Sequence, residues 1–323
     1  MSEKKELTPR QRKVLKQKEC FARSETLKEA FFMANRGISA HRRFVHYTTL
    51  SRVVQILTSR RWWLTRSDSD RLNDVQEAKK YGNSRLLKRM YQASFAYGSA
   101  ESAAMWGLYC PGDPLGVMIS IDGKAMRDWF AKIRSKEIKF CLEYDRVTAK
   151  HGRHVELTRR QIDIADARDV IYASTDFSDV AHRGKGRKNR SKKLFWFDTS
   201  TDKIENLEQE IADDKYTGWL KDSEWRQENE SRIAVRVKNV NEDLPDHLSV
   251  NIPDSVLRSM LFTLSPWFDE KLYGEVADMI LALVTKVHEK KPSKKIVFQS
   301  VITGALESWR GRYRGNMKDG AEG

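Results

Sequence analysis

The sequence predicts an α+β fold, in which helices surround a β-sheet, and three patterns predict it. Apolar residues alternate at Ile233, Val235 and Val237, which is the period of a half-buried strand. The apolar run at 116–121 predicts a strand buried on both faces. Apolar residues that recur every three or four positions at 50–57 and 272–287 predict amphipathic helices, each with one face against the sheet.

The other elements follow from the same periodicities and from turn residues between them. The predicted strands lie, in chain order, at residues 44–48, 61–65, 91–96, 116–121, 138–144, 170–173, 224–237, 248–253 and 295–301. The predicted helices lie within 8–36 and at residues 50–57, 75–90, 105–109, 125–132 and 272–287. We expect one domain at 41–308, preceded by a basic helical extension at 1–40 and followed by a basic flexible tail at 309–323.

The composition indicates a basic protein that meets a polyanion. The chain has 59 Lys and Arg against 45 Asp and Glu, a net charge of +14. A chain this basic most often binds nucleic acid, although charge can serve solubility alone. Three scattered cysteines indicate neither a zinc site nor a disulfide framework. The sequence lacks an apolar leader and an apolar run long enough to span a bilayer, so we expect a cytoplasmic protein.

One segment concentrates this positive charge. Residues 182–193 carry seven basic side chains, no acidic ones and two glycines, so they predict a loop that contacts a phosphate backbone. The seven residues are Arg183, Lys185, Arg187, Lys188, Arg190, Lys192 and Lys193.

The candidate catalytic residues lie just before the alternating strand. Side chains two positions apart on a strand share a face, so Glu228, Glu230 and Arg232 are expected side by side, opposite the Ile/Val row. Repulsion between two adjacent carboxylates raises the pKa of one of them, and Arg232 partly relieves it. Such a pair suits proton transfer or stabilisation of a cationic transition state. The alternative interpretation is a solvent-exposed charged strand face.

A second candidate group surrounds His46. His46 at a strand end, followed by Tyr47 and by Thr48 or Thr49 as the cap of the next helix, offers hydrogen bonds to a sugar or phosphate beside a helix N-terminus. A purely structural histidine is the alternative. The histidines of 151–156 match no metal-ligand spacing, and no metal site is expected. Phosphate-binding glycine loops and the signatures of serine or cysteine nucleophiles are absent from the sequence.

Taken together, these motifs resemble a widespread bacterial family of uncharacterised cytosolic proteins over residues 44–265. The first part is also similar to the DNA-modifying ADP-ribosyltransferase toxins, which open with a His-x-Thr strand, a helix and an Ile-Leu-x-Ser segment. The residues that carry the resemblance are His46-Tyr47-Thr48, Leu50, Ile56-Leu57-Thr58-Ser59, Asn73-Asp74, Met105-Trp106-x-x-Tyr109, Gly116 and Trp225-x-x-Glu228-x-Glu230-x-Arg232.

The resemblance implies an ADP-ribosyltransferase-like split β-sheet and NAD as co-substrate. It assigns the catalytic carboxylate to Glu230, with Glu228 as the base that deprotonates the acceptor. It places His46 on the adenosine ribose or diphosphate and stacks Tyr109 or Trp106 on nicotinamide. Arg66 is the nearest candidate for the diphosphate. With Tyr47, Thr48 and Asn73, these residues form the predicted NAD site.

The expected function is therefore an NAD-dependent ADP-ribosyltransferase that modifies DNA or RNA, as a toxin or antiphage effector with an antitoxin or inhibitor protein as partner. Two rival functions remain open. One is a nucleic-acid- or partner-binding module without catalysis, in which Glu228 and Glu230 belong to a salt-linked strand face. The other is an NAD glycohydrolase that uses the same site without an acceptor.

Overall fold

The computed structural model describes residue 38 and residues 41–69, 84–98, 101–144, 154–174, 193–194, 217–238, 244–289 and 291–302. These residues fall into two compact units. Unit 1 lies within 1–41, 63–95 and 130–250, and unit 2 within 42–62, 96–129 and 251–323. The predicted extension (apart from Ile38), most of the basic loop and the tail lie outside the described residues, so the predicted domain boundaries stay predictions.

Unit 2 is built on a mixed sheet in the order β14-β13-β4-β1, followed by the end of β3. β1 (Arg43–Thr49) runs antiparallel to β4 (Gly116–Asp122), and β13 (Leu261–Leu264) pairs with β4 and, in parallel, with β14 (Val297–Gln299). β3 spans Met90–Tyr97, and its last two residues pair with β1. β4 is buried almost throughout, as its uninterrupted apolar sequence predicts.

Helices accompany this sheet. They are α1 (Leu50–Ser59), α3 (Ala103–Tyr109), α4 (Gly123–Arg134, which continues into unit 1), α5 (Asp254–Leu257) and α6 (Tyr273–His288). α1 begins where Thr49 Oγ1 accepts a hydrogen bond from the Arg52 N–H at 3.4 Å. Its apolar face buries Val53, Ile56 and Leu57, the positions that the helical spacing predicts.

In unit 1, β3 is followed across the sheet by β2 (Arg61–Arg66), β12 (His247–Asn251), β5 (Phe140–Glu143) and β6 (His154–Leu157). β11 (Glu230–Val237) pairs with β3 and with the antiparallel β7 (Ile162–Asp169). A second sheet has the order β10-β8-β9, made of Leu220–Asp222, Ile171–Ser174 and Lys193–Leu194. The short helix α2 (Ser84–Leu87) precedes β3.

The described residues thus have mixed helical and strand content, which agrees with the predicted α+β class. Several details differ from the predictions. β3 begins at Met90, which the sequence assigns to a helix, while most of the predicted helix at 75–90 lies outside the described residues. β7 and β13 were not predicted, because their polar or short sequences take strand form by pairing with β11 and β4. No described helix is long and apolar enough to cross a membrane.

β11 itself corrects a central expectation. Every residue of this strand is buried, so it is not a half-buried strand with one charged, solvated face. Residues Ser223–Glu228 form a 3-10 helix, and Glu228 therefore lies before the strand rather than on it. Asn229 joins the two elements with a φ of 46°, a left-handed conformation that asparagine adopts more readily than most residues.

Candidate functional site

The candidate catalytic residues of unit 1 form a buried ionic cluster around Glu230. Its carboxylate accepts hydrogen bonds from Arg232, with Nε at 2.7 Å from Oε1 and Nη2 at 3.1 Å from Oε2. Ser94 Oγ donates to Oε1 as well. Glu230 is 2% exposed and Arg232 1% exposed, so this pair is removed from water.

Lys221 joins the second carboxylate to this pair. Its Nζ lies 2.5 Å from Oε2 of Glu228 and 3.5 Å from Oε2 of Glu230, and it also lies 4.8 Å from the centre of the Trp225 ring. Two carboxylates and two cations therefore balance one another in a buried space, which is the condition under which ionised groups are tolerated there. We call Lys221, Glu228, Glu230 and Arg232 the charge cluster.

The backbone around the charge cluster fixes its geometry. The N–H of Glu230 donates to the hydroxyl of Tyr172 at 2.9 Å, and Arg232 Nη1 donates to the carbonyl of Gly218 at 2.7 Å. Gly218 has a φ of +82°, and a Cβ there would lie 2.6 Å from Sδ of Met90. The positive φ favours glycine at position 218, and an added Cβ would also displace the end of the Met90 side chain.

The pKa of the Glu230 carboxyl lies well below its ordinary value. Burial alone would raise this pKa, but attraction to Arg232 and Lys221 and hydrogen bonds from Arg232 and Ser94 outweigh the burial. The expectation that the paired carboxylates raise a pKa is therefore wrong for Glu230. The carboxylate is an anion throughout the neutral range.

Two of the five candidate NAD-binding residues of unit 2, Tyr47 and Trp106, are core residues. Tyr47 is 5% exposed, its ring meets the Trp106 ring edge-on at 4.9 Å, and its hydroxyl accepts from the N–H of Ser102 at 3.0 Å. Burial raises the pKa of Tyr47 to about 12. Trp106 is fully buried and donates to Glu101 at 3.1 Å, whereas Tyr109 is only partly buried. Of the two predicted stacking residues, Tyr109 is the one with accessible surface.

His46 does not lie at a strand end. β1 continues to Thr49, so His46 lies in mid-strand opposite Ile119, and its ring packs edge-on against Trp62 at 5.0 Å. Of the two threonines expected to cap the helix, Thr49 is the cap, and the carbonyl of Thr48 accepts from the thiol of Cys110. His46 therefore lies three residues before the helix cap, and the expectation of a histidine at a strand end beside a helix N-terminus is wrong.

The remaining candidates are partnered or undescribed. In unit 1, Arg66 Nε lies 2.6 Å from Asp68, and its Nη2 lies 3.3 Å from Asp246. These carboxylates, against the opposing effect of burial, raise the pKa of Arg66. Asn73 and the basic loop at 183–192 lie outside the described residues, and Lys193 enters them only as part of β9. The described residues contain no group of three or more His, Cys, Asp or Glu placed to hold a metal ion.

Sequence reasoning missed Lys221, Ser94 and Gln92, whose Oε1 accepts from Arg232 Nη1 at 3.1 Å. One signal for Lys221 was available. Lys221 directly follows the large apolar residues Trp219 and Leu220, which favour a buried position, and a buried lysine requires a carboxylate partner. Ser94 and Gln92 carried no such signal, since their partners in the charge cluster lie 136 and 140 residues away along the chain.

No model of a known protein family and no curated protein matches the chain. Similar solved structures are those of DarT from Thermus sp. 2.9 in complex with carba-NAD+, with NAD+ and with ADP-ribosylated ssDNA. Each is 10% identical, covers 80% of this chain and 93–94% of that chain, and has a TM-score of 0.29 or 0.30. These TM-scores are too low to establish a shared fold.

Proposed function

We propose that this chain is an NAD-dependent ADP-ribosyltransferase with an ADP-ribosyltransferase-like fold, that nucleic acid is its acceptor, and that Glu230 is its catalytic carboxylate. One observation carries the proposal: a buried glutamate at the start of a late strand, held by two cations and a serine that keep it ionised at neutral pH. The resemblance assigns the catalytic role to the same residue. The net charge of +14 favours a polyanionic acceptor.

The chemistry follows from the charge of Glu230. When the bond between the ribose and nicotinamide breaks, its electron pair leaves with nicotinamide and the ribose becomes an oxocarbenium-like cation. A carboxylate that is already ionised and oriented stabilises this cation without reorganising. Because the interaction is stronger with the cation than with intact NAD, it lowers the barrier rather than only tightening binding.

Glu228 can act as the base that deprotonates the acceptor only under one structural condition. Glu228 is 1% exposed, and its carboxylate lies 2.5 Å from the ammonium group of Lys221. Glu228 can accept a proton from the nucleic-acid acceptor only after Lys221 moves away from it. We therefore assign Glu228 to acceptor activation and Lys221 to the control of that step.

A specific observation favours a second candidate, a binding module without catalysis. All the contacts described above for Glu230 lie within unit 1, and its side chain is 2% exposed. In this candidate, the charge cluster only joins β11 to the segment at 217–228. The two candidates differ in the role of the Glu230 charge. In the first it takes part in catalysis, and in the second it contributes only to folding.

Incubation of the protein with adenylate-labelled NAD and single-stranded DNA, duplex DNA, RNA or protein tests the proposal. We expect label transfer to nucleic acid, and at least a hundredfold loss per folded molecule in Glu230→Gln. Glu143→Gln is the matched control, because Glu143 is also a buried strand glutamate, held by Ser249 and His154. Equal activity in the two folded variants would remove Glu230 from catalysis. Nicotinamide release without label transfer would indicate a glycohydrolase.

A further inference from the structure

One edge of unit 1 brings together the ends of three strands. β3 and β7 begin there and β11 ends there, because the N–H of Val237 donates to the Arg89 carbonyl at 2.9 Å and that of Lys238 to the Gln161 carbonyl at 2.7 Å. The Nζ of Lys136 joins them, with donations to the carbonyls of Ile162 at 2.7 Å and Asp163 at 3.1 Å. Four segments distant in sequence therefore meet at one edge.

These four segments are rich in basic side chains. The residues at the edge, which we call the basic edge, are mostly exposed: Arg85, Lys88, Arg89, Arg159, Arg160 and Lys238. Within 84–89, 136–137, 159–163 and 236–238 the acidic residues are Glu137 and Asp163, and Asp163 pairs with Arg236 at 2.8 Å. Positive charge therefore dominates this edge.

The character of the edge indicates the kind of partner. A protein interface has an apolar core, usually with aromatic anchors. The large hydrophobic residues that are exposed among the described residues, Leu115, Leu272, Met279 and Val301, all belong to unit 2. Several exposed Lys and Arg side chains without an apolar centre fit a row of phosphates instead.

We propose that the basic edge binds the phosphate backbone of the nucleic acid. It is a contact distinct from the predicted loop at 182–193, and it rests on the proposed function because it names the surface that holds the acceptor. Such contacts position a strand without reading its sequence, so binding is salt-dependent and tolerant of sequence.

The test uses the full chain and a fluorescent single-stranded DNA of mixed sequence, without NAD. In Arg159→Gln/Arg160→Gln/Lys238→Gln, three phosphate contacts are lost. We expect at least tenfold weaker binding at about 50 mM salt, and a log–log salt slope about 2 shallower, since each contact to a single strand contributes roughly 0.7. The control is Lys271→Gln/Lys286→Gln/Lys291→Gln, which removes three exposed charges of unit 2.

We expect the control to bind within about twofold of the unaltered protein, because no contact is lost and distant charges are screened by salt. Unchanged affinity and slope in the edge variant would overturn the inference. Equal weakening of both variants, or no binding by the unaltered protein, would also overturn it. Normal DNA binding without any NAD chemistry would instead refute the proposed function and leave the basic edge standing.

Discussion

Glu230 is surrounded by groups that neutralise it, and none of them is dispensable on electrostatic grounds. Arg232 holds both of its carboxylate oxygens, and Lys221 divides its ammonium group between Glu230 and Glu228. Removal of one member leaves an uncompensated charge in a site from which water is excluded. At this scale we expect the cluster to act as a unit, with the loss of one charge harming the fold more than the loss of two opposite charges.

The variant Lys221→Met tests whether the charge cluster acts as a unit. We expect it to lower the free energy of unfolding by about 3–5 kcal/mol, because two buried carboxylates remain with a single cation. The double variant Lys221→Met/Glu228→Gln restores the charge balance and should recover at least half of the loss. Urea denaturation at neutral pH measures both. A double variant as unstable as the single one would contradict charge balance as the cause.

The lowered pKa of Glu230 predicts how stability depends on pH. A carboxyl whose pKa is lower in the folded than in the unfolded chain contributes stability that is fully present above its ordinary pKa of 4.5. That contribution disappears as the pH falls from 4.5 towards the lowered pKa. We expect the unfolding free energy of Glu230→Gln to fall less steeply below pH 4.5 than that of the unaltered protein. Parallel curves would show that Glu230 titrates alike in both states.

At the scale of elements, local pattern predicted strands and helices but not the contacts between them. The alternation at Ile233, Val235 and Val237 located β11, and the helical spacing located α1 and α6. The pattern could not show that both faces of β11 are buried, because the face with Glu230 and Arg232 contacts residues distant in sequence, such as Ser94. Nor could it separate Glu228 from the strand, because the break depends on the left-handed backbone of Asn229.

Gly218 is the backbone position on which the Arg232 contact depends. Gly218→Ala should lower the unfolding free energy by about 1–3 kcal/mol, because a side chain is strained at its positive φ and would collide with Met90. Gly274→Ala is the matched control, since that glycine lies in α6 with nothing within 4 Å of a Cβ. It should stabilise the chain by about 0.5–1 kcal/mol. Thermal unfolding of the pair measures the difference, and a shift of the same sign in both would contradict it.

At the scale of the whole molecule, charge was the most informative property of the sequence. The excess of 14 positive charges indicates a polyanionic partner without reference to any single residue. It could not indicate where the partner binds. The loop at 182–193 was visible as a continuous run, whereas the basic edge combines short segments that only the strand pairing brings together.

The loop prediction therefore has its own test. Replacement of the seven basic residues at 183–193 with Ser or Gln should weaken nucleic-acid binding and flatten its salt dependence, with an unchanged melting temperature. Cleavage of NAD without an acceptor should persist, since the loop is assigned to the acceptor. Binding measured across a salt series decides the outcome. Affinity equal to that of the unaltered protein would make the loop a solvated surface.

β11 has Glu230 as its first residue and Val237, at the basic edge, as its last. A strand rises by about 3.3 Å per residue, so about 23 Å separate the proposed catalytic carboxylate from the basic edge. A stacked nucleic-acid strand rises by ~3.4 Å per nucleotide and covers that distance in about seven nucleotides. A stacked oligonucleotide shorter than this cannot occupy both places at once. The strand thereby sets a minimum acceptor length, and modification should increase steeply up to about that length and then level off.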